Sequence, residues 1–320
     1  MLPRMIVLNG IDDVPPTARG GALAIGNFDG VHRGHQALLR ATRHEAGKLG
    51  APAGVILFEP HPREFFQPDK PHFRLTPLER KLQLLERFGL DLAVILAFDT
   101  ALAGLPAQDF IERIIARALA ARHVVIGYDF RFGKGRTGEP ETMRRAGSAL
   151  GFGVTVVAQV AEAGEVFSSN AIRAELAQGD VAGAAQMLGH WWRISGEVIG
   201  GFKRGAGLGF PTANIALAPE TALAHGIYAV RVLVDGKTYQ AAAYLGTRPT
   251  FDNGLPMLEV FLFGFDGDLY GREIAVEFID FVRTDAKFAS VEALQQQIAK
   301  DCARAQAILD AAPLDPLDAS

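Results

Sequence analysis

Two imidazoles three residues apart, His32 and His35, lie in the stretch Gly26-Asn27-Phe28-Asp29-Gly30-Val31-His32-Arg33-Gly34-His35. That spacing puts both rings on one helical turn, where they can face a single phosphate. Glycines at 26, 30 and 34 let the backbone approach an anion with no Cβ in the way. The apolar run Ala22-Leu23-Ala24-Ile25 before the turn predicts a buried parallel strand, and Gln36 to Ala41 after it has helical spacing. A helix that opens behind such a turn presents unpaired N–H groups and the positive end of its dipole to an anion. This is the strand-to-helix position where doubly wound folds bind nucleotides. The plain alternative is two surface histidines beside a turn.

Three further clusters carry chemistry. Phe58-Glu59-Pro60-His61-Pro62 ends an apolar run in a stiff, proline-containing loop. Ile126 to Arg136 mixes aromatics suited to stacking (Tyr128, Phe130, Phe132) with cations suited to phosphates (Arg131, Lys134, Arg136), and holds Asp129. Ser168-Ser169-Asn170-Ala171-Ile172-Arg173 opens a helix, where the hydroxyls serve as caps or as phosphate ligands with the same atoms. Arg173 taken alone is equally a solvated helix charge.

The elements that must position these residues alternate in the first half. Short apolar strands are predicted at Arg4 to Asn9, Gly21 to Ile25, Gly54 to Phe58, Leu92 to Phe98, His123 to Ile126 and Val154 to Ala158. Amphipathic helices are predicted at Pro77 to Phe88 and Gln108 to Ala121, with Pro77 and Pro106 at their starts. The alternation implies a parallel sheet with helices on both faces and functional loops along one edge. Near residue 190 the texture changes. Gly226 to Val234, Thr238 to Leu245, Met257 to Phe263 and Glu273 to Phe281 predict strands joined by Asp-Gly turns at 235–236 and 266–267. A closing helix is predicted from Ser290 to Ala311, so the second half reads as a small antiparallel barrel or sandwich with one helix.

Length and charge bound the rest. A chain of 320 residues implies two domains, and 49% hydrophobic with 21% charged residues is ordinary for a globular protein. A net charge of −4, divided as 21 basic and 20 acidic residues before residue 186 and 11 and 16 after it, argues against nucleic-acid binding by bulk electrostatics. The single cysteine, Cys302, excludes an internal disulfide and a cysteine metal cluster, and its helical setting favours structural burial. No apolar signal region or bilayer-length run is evident, so a cytoplasmic location without a membrane partner is the expectation.

Taken in order, these motifs resemble a known family. Gly-x-Phe-Asp-Gly-x-His-x-Gly-His, Glu-Pro-His-Pro, Gly-x-Asp-Phe-Arg-Phe-Gly and Ser-Ser-x-x-Ile-Arg are similar to the adenylyltransferase half of the bacterial bifunctional riboflavin kinase/FAD synthetase family. Gly209-Phe210-Pro211-Thr212-Ala213-Asn214, within the glycine-rich stretch from Gly205, resembles that family's kinase motif. Gly246 to Phe251, Leu258-Glu259-Val260, Leu269-Tyr270-Gly271 and Arg283 fit its later pattern. The resemblance implies a Rossmann-like α/β adenylyltransferase over residues 1–186, an antiparallel β-barrel kinase with a C-terminal helix over 187–312, and a tail at 313–320. It implies phosphorylation of riboflavin to FMN and adenylylation of FMN to FAD, both with ATP and Mg2+.

On that resemblance His32, His35 and Arg173 are catalytic in the first half, and Gly26, Phe28, Gly30, Gly34, Asp129, Ser168 and Ser169 bind its nucleotide. Phe58, Pro60, His61, Phe130 and Arg283 are implied for flavin. In the kinase half Glu259 is the implied base. Gly205, Gly209, Pro211 and Thr212 contact ATP, and Thr212 and Asn214 offer hard oxygens to Mg2+. The partners implied are small molecules, acting on a monomer or weak homo-oligomer. Four departures bear mainly on kinase efficiency: Asn170 for a usual Thr or Ser, Ala206 for Arg, Phe261 for His, and His190-Trp191-Trp192 for Arg-Pro-Tyr. Two other readings remain open on the residues, a nucleotidylyltransferase with another phosphate acceptor and a flavin-binding regulatory module without turnover.

Overall fold

The computed structural model describes residues 5–162, 165–200, 210–247 and 256–315, and the chain divides into two compact units, Met1–Ser168 and Ser169–Ser320. In the first unit six strands form one sheet: β1 (Ile6–Asn9), β2 (Ala22–Ile25), β3 (Ala53–Glu59), β4 (Leu92–Ala97), β5 (His123–Gly127) and β6 (Gly153–Val157). All pairs are parallel and the order is β1-β4-β3-β2-β5-β6. The start of the first predicted strand, Arg4, lies outside the described residues.

Parallel strands are buried on both faces, which is why β2 reads as an unbroken apolar run and all four of its residues are buried. Between strands run α1 (Arg33–Leu49), α2 (Pro62–Phe66), α3 (Leu78–Arg87), the short turns α4 (Thr100–Ala103) and α5 (Ala107–Asp109), and α6 (Pro140–Leu150). The predicted helix at Gln108 to Ala121 is present but wound more widely, as a π-helix over Phe110–Ala118. Its Phe110, Ile111, Ile114 and Ile115 join Met143 and Ala146 of α6 against Leu23, Ile25, Val124 and Ile126. Helix α1 packs on β2, β3 and β5 and has no residue in that cluster, so it covers the other face. The strand order reverses at β2, with β3 on one side and β5 on the other, and the loops after these three strands border the crevice of a doubly wound sheet. A small hairpin, β7 (Ala161–Glu162) with β8 (Glu165–Val166), precedes the division.

The second unit opens with α7 (Ser169–Gln178) and α8 (Val181–Leu188). It continues through β9 (Trp192–Glu197), β10 (Ala213–Ala216), β11 (Gly226–Val234), β12 (Lys237–Thr247), β13 (Pro256–Leu262), β14 (Glu273–Arg283) and α9 (Val291–Ala311). The sheet is antiparallel in the order β10-β13-β12-β11-β14-β9. Its two edges meet where Ile199 N–H donates to Asn214 O at 2.9 Å, so the sheet curls back on itself as a barrel would. Helix α9 packs on β11, β12 and β14, burying Ala305 and Leu309 against Ala229, Ala242, Ile279 and Val282. Half-buried Cys302 packs on the same cluster, and burial followed by the Asp301 charge pushes its thiol up to about 11.

One expectation is corrected. Asp235-Gly236 does close the β11–β12 hairpin, but Asp266-Gly267 joins no hairpin, because β13 pairs with β10 and β12 while β14 pairs with β11 and β9. An Asp-Gly step specifies a tight reversal of the chain and says nothing about which strands become neighbours.

Candidate functional site

The chain leaves β2 through a strained turn. Phe28 (φ 50°) and Val31 (φ 43°) are fully buried non-glycine residues in the left-handed region, and Gly30 (φ 86°) lies between them. Gly26 and Gly34 each face an aromatic ring at close range. A Cβ at Gly26 would come within 3.2 Å of the Phe28 ring, and one at Gly34 within 3.0 Å of the His32 ring.

His32 is the N-cap of α1 and accepts from His35 N–H at 3.3 Å through Nδ1, which leaves Nε2 to carry the proton of the neutral ring. The two imidazoles stack at 3.7 Å between centroids and 24° between planes, with Phe28 tilted 5.1 Å from His35. The spacing therefore brings both rings together at the helix start as the sequence implies. Burial, then the neighbouring His32 and Lys81, hold His35 well below the usual histidine range, so its ring is neutral near pH 7. His35 Nδ1 and Asn27 Oδ1 are buried without a hydrogen-bond partner among the described residues. Unmet polar atoms of this kind are costly, and here they surround a helix N-terminus suited to phosphate. Phe167, next to Ser168, lies against the same helix start, with Arg33 4.7 Å above its ring.

Behind the turn is a network the sequence reading did not assign. Asp29, 3% exposed, accepts from Thr76 N–H at 3.0 Å and Leu75 N–H at 3.2 Å, while Thr76 Oγ1 accepts from Gly30 N–H at 2.9 Å. These bonds tie the residues just ahead of α3 to the turn after β2. One turn into α3, Lys81 is 4% exposed. Burial lowers its ammonium pKa, and the Asp29 and Glu59 charges oppose that shift.

The loop after β3 stands beside this. Phe58 meets Phe98 edge-on at 5.9 Å, and Phe65 and Phe66 of α2 also meet Phe98 edge-on, leaving Phe66 exposed. Pro60 follows at the surface. His61 caps α2 by accepting from Arg63 N–H at 3.1 Å and lies 4.6 Å from the His72 ring. Burial, then His72, lowers His61 to about 4. Arg74 binds Glu59 at 2.6 Å and Glu64 through Nε at 2.6 Å, and these carboxylates raise its pKa. After β5, Asp129 folds back over Gly127, and Phe130 stacks on Phe132 at 5.4 Å. The expected residues of three motifs thus gather at the carboxyl ends of β2, β3 and β5. The fourth motif crosses the division between units: Ser168 ends the first, and Ser169, Asn170 and Arg173 lie on α7, where Arg173 donates to Asn170 Oδ1 at 3.2 Å.

In the second unit the register places Glu259 of β13 directly opposite Asn214 of β10 on one side and Tyr244 of β12 on the other. Residues opposite each other in antiparallel strands share a face, so the expected base and metal ligand are neighbours. Asn214, 8% exposed, donates to Thr212 O at 3.5 Å, and Tyr244 OH donates to Asp285 at 3.2 Å. Tyr244 lies along the strand because residue 246 is glycine; a Cβ there would come within 2.2 Å of its hydroxyl. Phe261, the departure from His, packs edge-on against Phe210 at 5.2 Å. A cavity of about 130 Å³ opens beside Thr212, walled by Val198, Pro211, Leu262, Phe265 and Leu269. Arg283 is held by Asp301, with Nη2 at 2.7 Å from Oδ2. Gly205, Ala206, Gly209 and residues 248–251 lie outside the described residues. No group of three or more His, Cys, Asp or Glu suited to a metal occurs among the described residues.

Residues 14–171 match the family model described as FAD synthetase, and residues 188–309 match the one described as riboflavin kinase. A bifunctional riboflavin kinase/FMN adenylyltransferase of Escherichia coli K12 is 42% identical over 299 residues, covering 93% of this chain and 96% of its own. The proteins of that name from Pseudomonas fluorescens and Bacillus subtilis are 41% and 37% identical, covering 95% and 87% of this chain and 98% and 89% of their own. A solved structure titled macrolide-efflux protein from Streptococcus pneumoniae superimposes with a TM-score of 0.86 at 30% identity, covering 95% of this chain and 99% of that one. No helix among the described residues is long and apolar enough to cross a membrane.

Proposed function

The chain belongs to the bifunctional riboflavin kinase/FMN adenylyltransferase family, and we propose that its two units divide these reactions between the two clusters of residues described above. The enzyme is a transferase that phosphorylates riboflavin to FMN and adenylylates FMN to FAD. We assign the adenylyltransferase to residues 1–186 and the kinase to 187–312, with 313–320 as a tail. The family matches, which end at residue 171 and resume at 188, support that division.

For adenylyl transfer, the FMN phosphate attacks the α-phosphorus of ATP, and the electron pair of the α–β bridging bond departs with pyrophosphate. The attacking phosphate is largely ionised near pH 7 and needs no strong base. The protein has to hold two polyanions in line and neutralise the charge that develops. His35, neutral in the free enzyme, and His32 contact the ATP phosphates with the α1 N-terminus behind them, and the family resemblance gives Ser168, Ser169 and Arg173 the β- and γ-phosphates. The unpartnered, buried Nδ1 of His35 at the helix start is the observation that carries this reading. Phe58, Pro60, His61 and Phe130 border the flavin side, and Asp129 the nucleotide.

Kinase chemistry is harder, because the riboflavin 5′-hydroxyl is not acidic and requires a base within hydrogen-bond reach. Glu259 takes that proton. Thr212 and Asn214 supply neutral oxygen donors, which fit a Mg2+ that draws its charge balance from ATP. When bound, Mg2+ would gather the phosphates and neutralise them. The cavity beside Pro211 and Thr212 suits the nucleotide base. With a net charge of −4 we expect small-molecule substrates, not nucleic acid, and action as a monomer or weak homo-oligomer in the cytoplasm.

The test is incubation of the protein with riboflavin, ATP and Mg2+, with flavins separated over time. FMN that rises and then gives way to FAD is expected. Product from neither riboflavin nor supplied FMN would overturn the reading.

A further inference from the structure

Lys81 poses a problem that the machinery described so far does not use. It is 4% exposed on the inner face of α3, flanked by buried Leu84 and Leu85. An ammonium taken out of water is costly unless a short anionic contact compensates it. Every nearby carboxylate is already engaged elsewhere. Asp29 is spent on Leu75 N–H, Thr76 N–H and the Thr76 hydroxyl, and Glu59 and Glu64 are held by Arg74. Among the described residues the Lys81 ammonium has no hydrogen bond and no carboxylate oxygen within 4 Å.

Its place is defined from two sides. The Thr76 and Asp29 bonds clamp the start of α3 to the phosphate turn, and Lys81 follows within the first turn and a half of that helix. The Lys81 charge is felt by His35 on α1 and by His61 in the loop after β3, and it in turn feels Asp29, Glu59, Arg74 and Glu64. The ammonium therefore stands between the turn that meets the nucleotide and the loop that meets the flavin. In an enzyme joining AMP to FMN, the anion between those two is the FMN phosphate. Both neighbouring histidines are neutral when the site is empty, so they bring no charge to that phosphate, whereas Lys81 does.

We propose that Lys81 binds the phosphate of FMN and aligns it for attack on ATP, an assignment that rests on the adenylyltransferase reading of the first unit. The residue is a largely buried cation without a short-range carboxylate partner among the described residues until a substrate supplies one. Such a group lowers the stability of the free protein in exchange for function.

The test compares Lys81→Met and Lys81→Arg with the unaltered enzyme in FAD formation from FMN and ATP. The unaltered enzyme must make FAD; if it does not, the adenylyltransferase reading itself fails and Lys81 is not at issue. Given turnover, Lys81→Met is expected to raise KM for FMN at least tenfold with KM for ATP within twofold, and Lys81→Arg to recover most of the loss. Because the Met variant removes an uncompensated buried charge, its melting temperature should equal or exceed that of the unaltered protein. A lowered melting temperature with KM for FMN unchanged would make Lys81 a structural cation and overturn the proposal. A change in KM for ATP alone would move the contact to the nucleotide and overturn it equally.

Discussion

His61 carries a pH dependence that its surroundings dictate. In the unfolded chain it titrates near the ordinary histidine value of about 6.5, and in the fold burial and then His72 lower it to about 4. Between these values the unfolded state binds more protons than the native one, so stability rises with pH across the window and falls on acidification through it. Protonation would also remove the Nδ1 acceptor that caps α2. His61→Asn keeps a capping oxygen and discards the titration. Thermal melts from pH 7 to pH 4.5 should therefore show a smaller loss of stability in the variant than in the unaltered protein. Parallel curves would reject the role given to His61. The same physics keeps the His35 ring neutral, so in the role proposed for it His35 acts as a hydrogen-bonding group until phosphate arrives.

At the scale of elements, the proposed adenylyltransferase site depends on two helix starts held together. Helix α1 presents the stacked histidines, and α3 is tied to the same turn by Asp29 and Thr76. Thr76→Val removes the acceptor for the buried Gly30 N–H and a donor to Asp29. A cost of about 1–3 kcal/mol is expected for the buried groups left unsatisfied. Denaturant unfolding followed in the first unit should show that loss, together with slower FAD formation, while riboflavin phosphorylation continues. A variant as stable as the original would show that the tether does not hold the turn. Part of this element was legible beforehand. The amphipathic pattern of Pro77 to Phe88 foretold α3, and a lysine three and four residues before Leu84 and Leu85 falls on its apolar face. The tether was not legible, because Asp29 and Thr76 are 47 residues apart and no local spacing links them.

At the scale of the whole molecule, the two family matches fall almost wholly in separate compact units, the first running three residues past Ser168, so the two chemistries should separate by single substitutions. Glu259→Gln should lower FMN formation by about a thousandfold, within the range of removing a general base, and leave FAD formation from supplied FMN within twofold. His35→Ala should do the reverse, lowering FAD formation by about a hundredfold with the kinase rate intact. An unchanged kinase rate in Glu259→Gln would remove Glu259 from the base role. Loss of both activities in either variant would contradict the division of labour.

The sequence by itself determined the chemistry and the class of each half. Strand-turn-helix punctuation around His32 and His35, alternating strands and helices before residue 190, and β-branched runs after it are local signals, set by side-chain period and turn chemistry. The family was readable for the same reason, since its motifs are short and contiguous. Tertiary structure alone decided who stands beside whom. It set Glu259 between Asn214 and Tyr244, refused Asp266-Gly267 its hairpin, and gave Gly26 and Gly34 the task of making room for the Phe28 and His32 rings. It also left Lys81 buried without a short-range counter-charge. Register, burial and charge compensation are fixed by contacts between residues far apart in the chain, and no window of sequence contains both partners of such a contact.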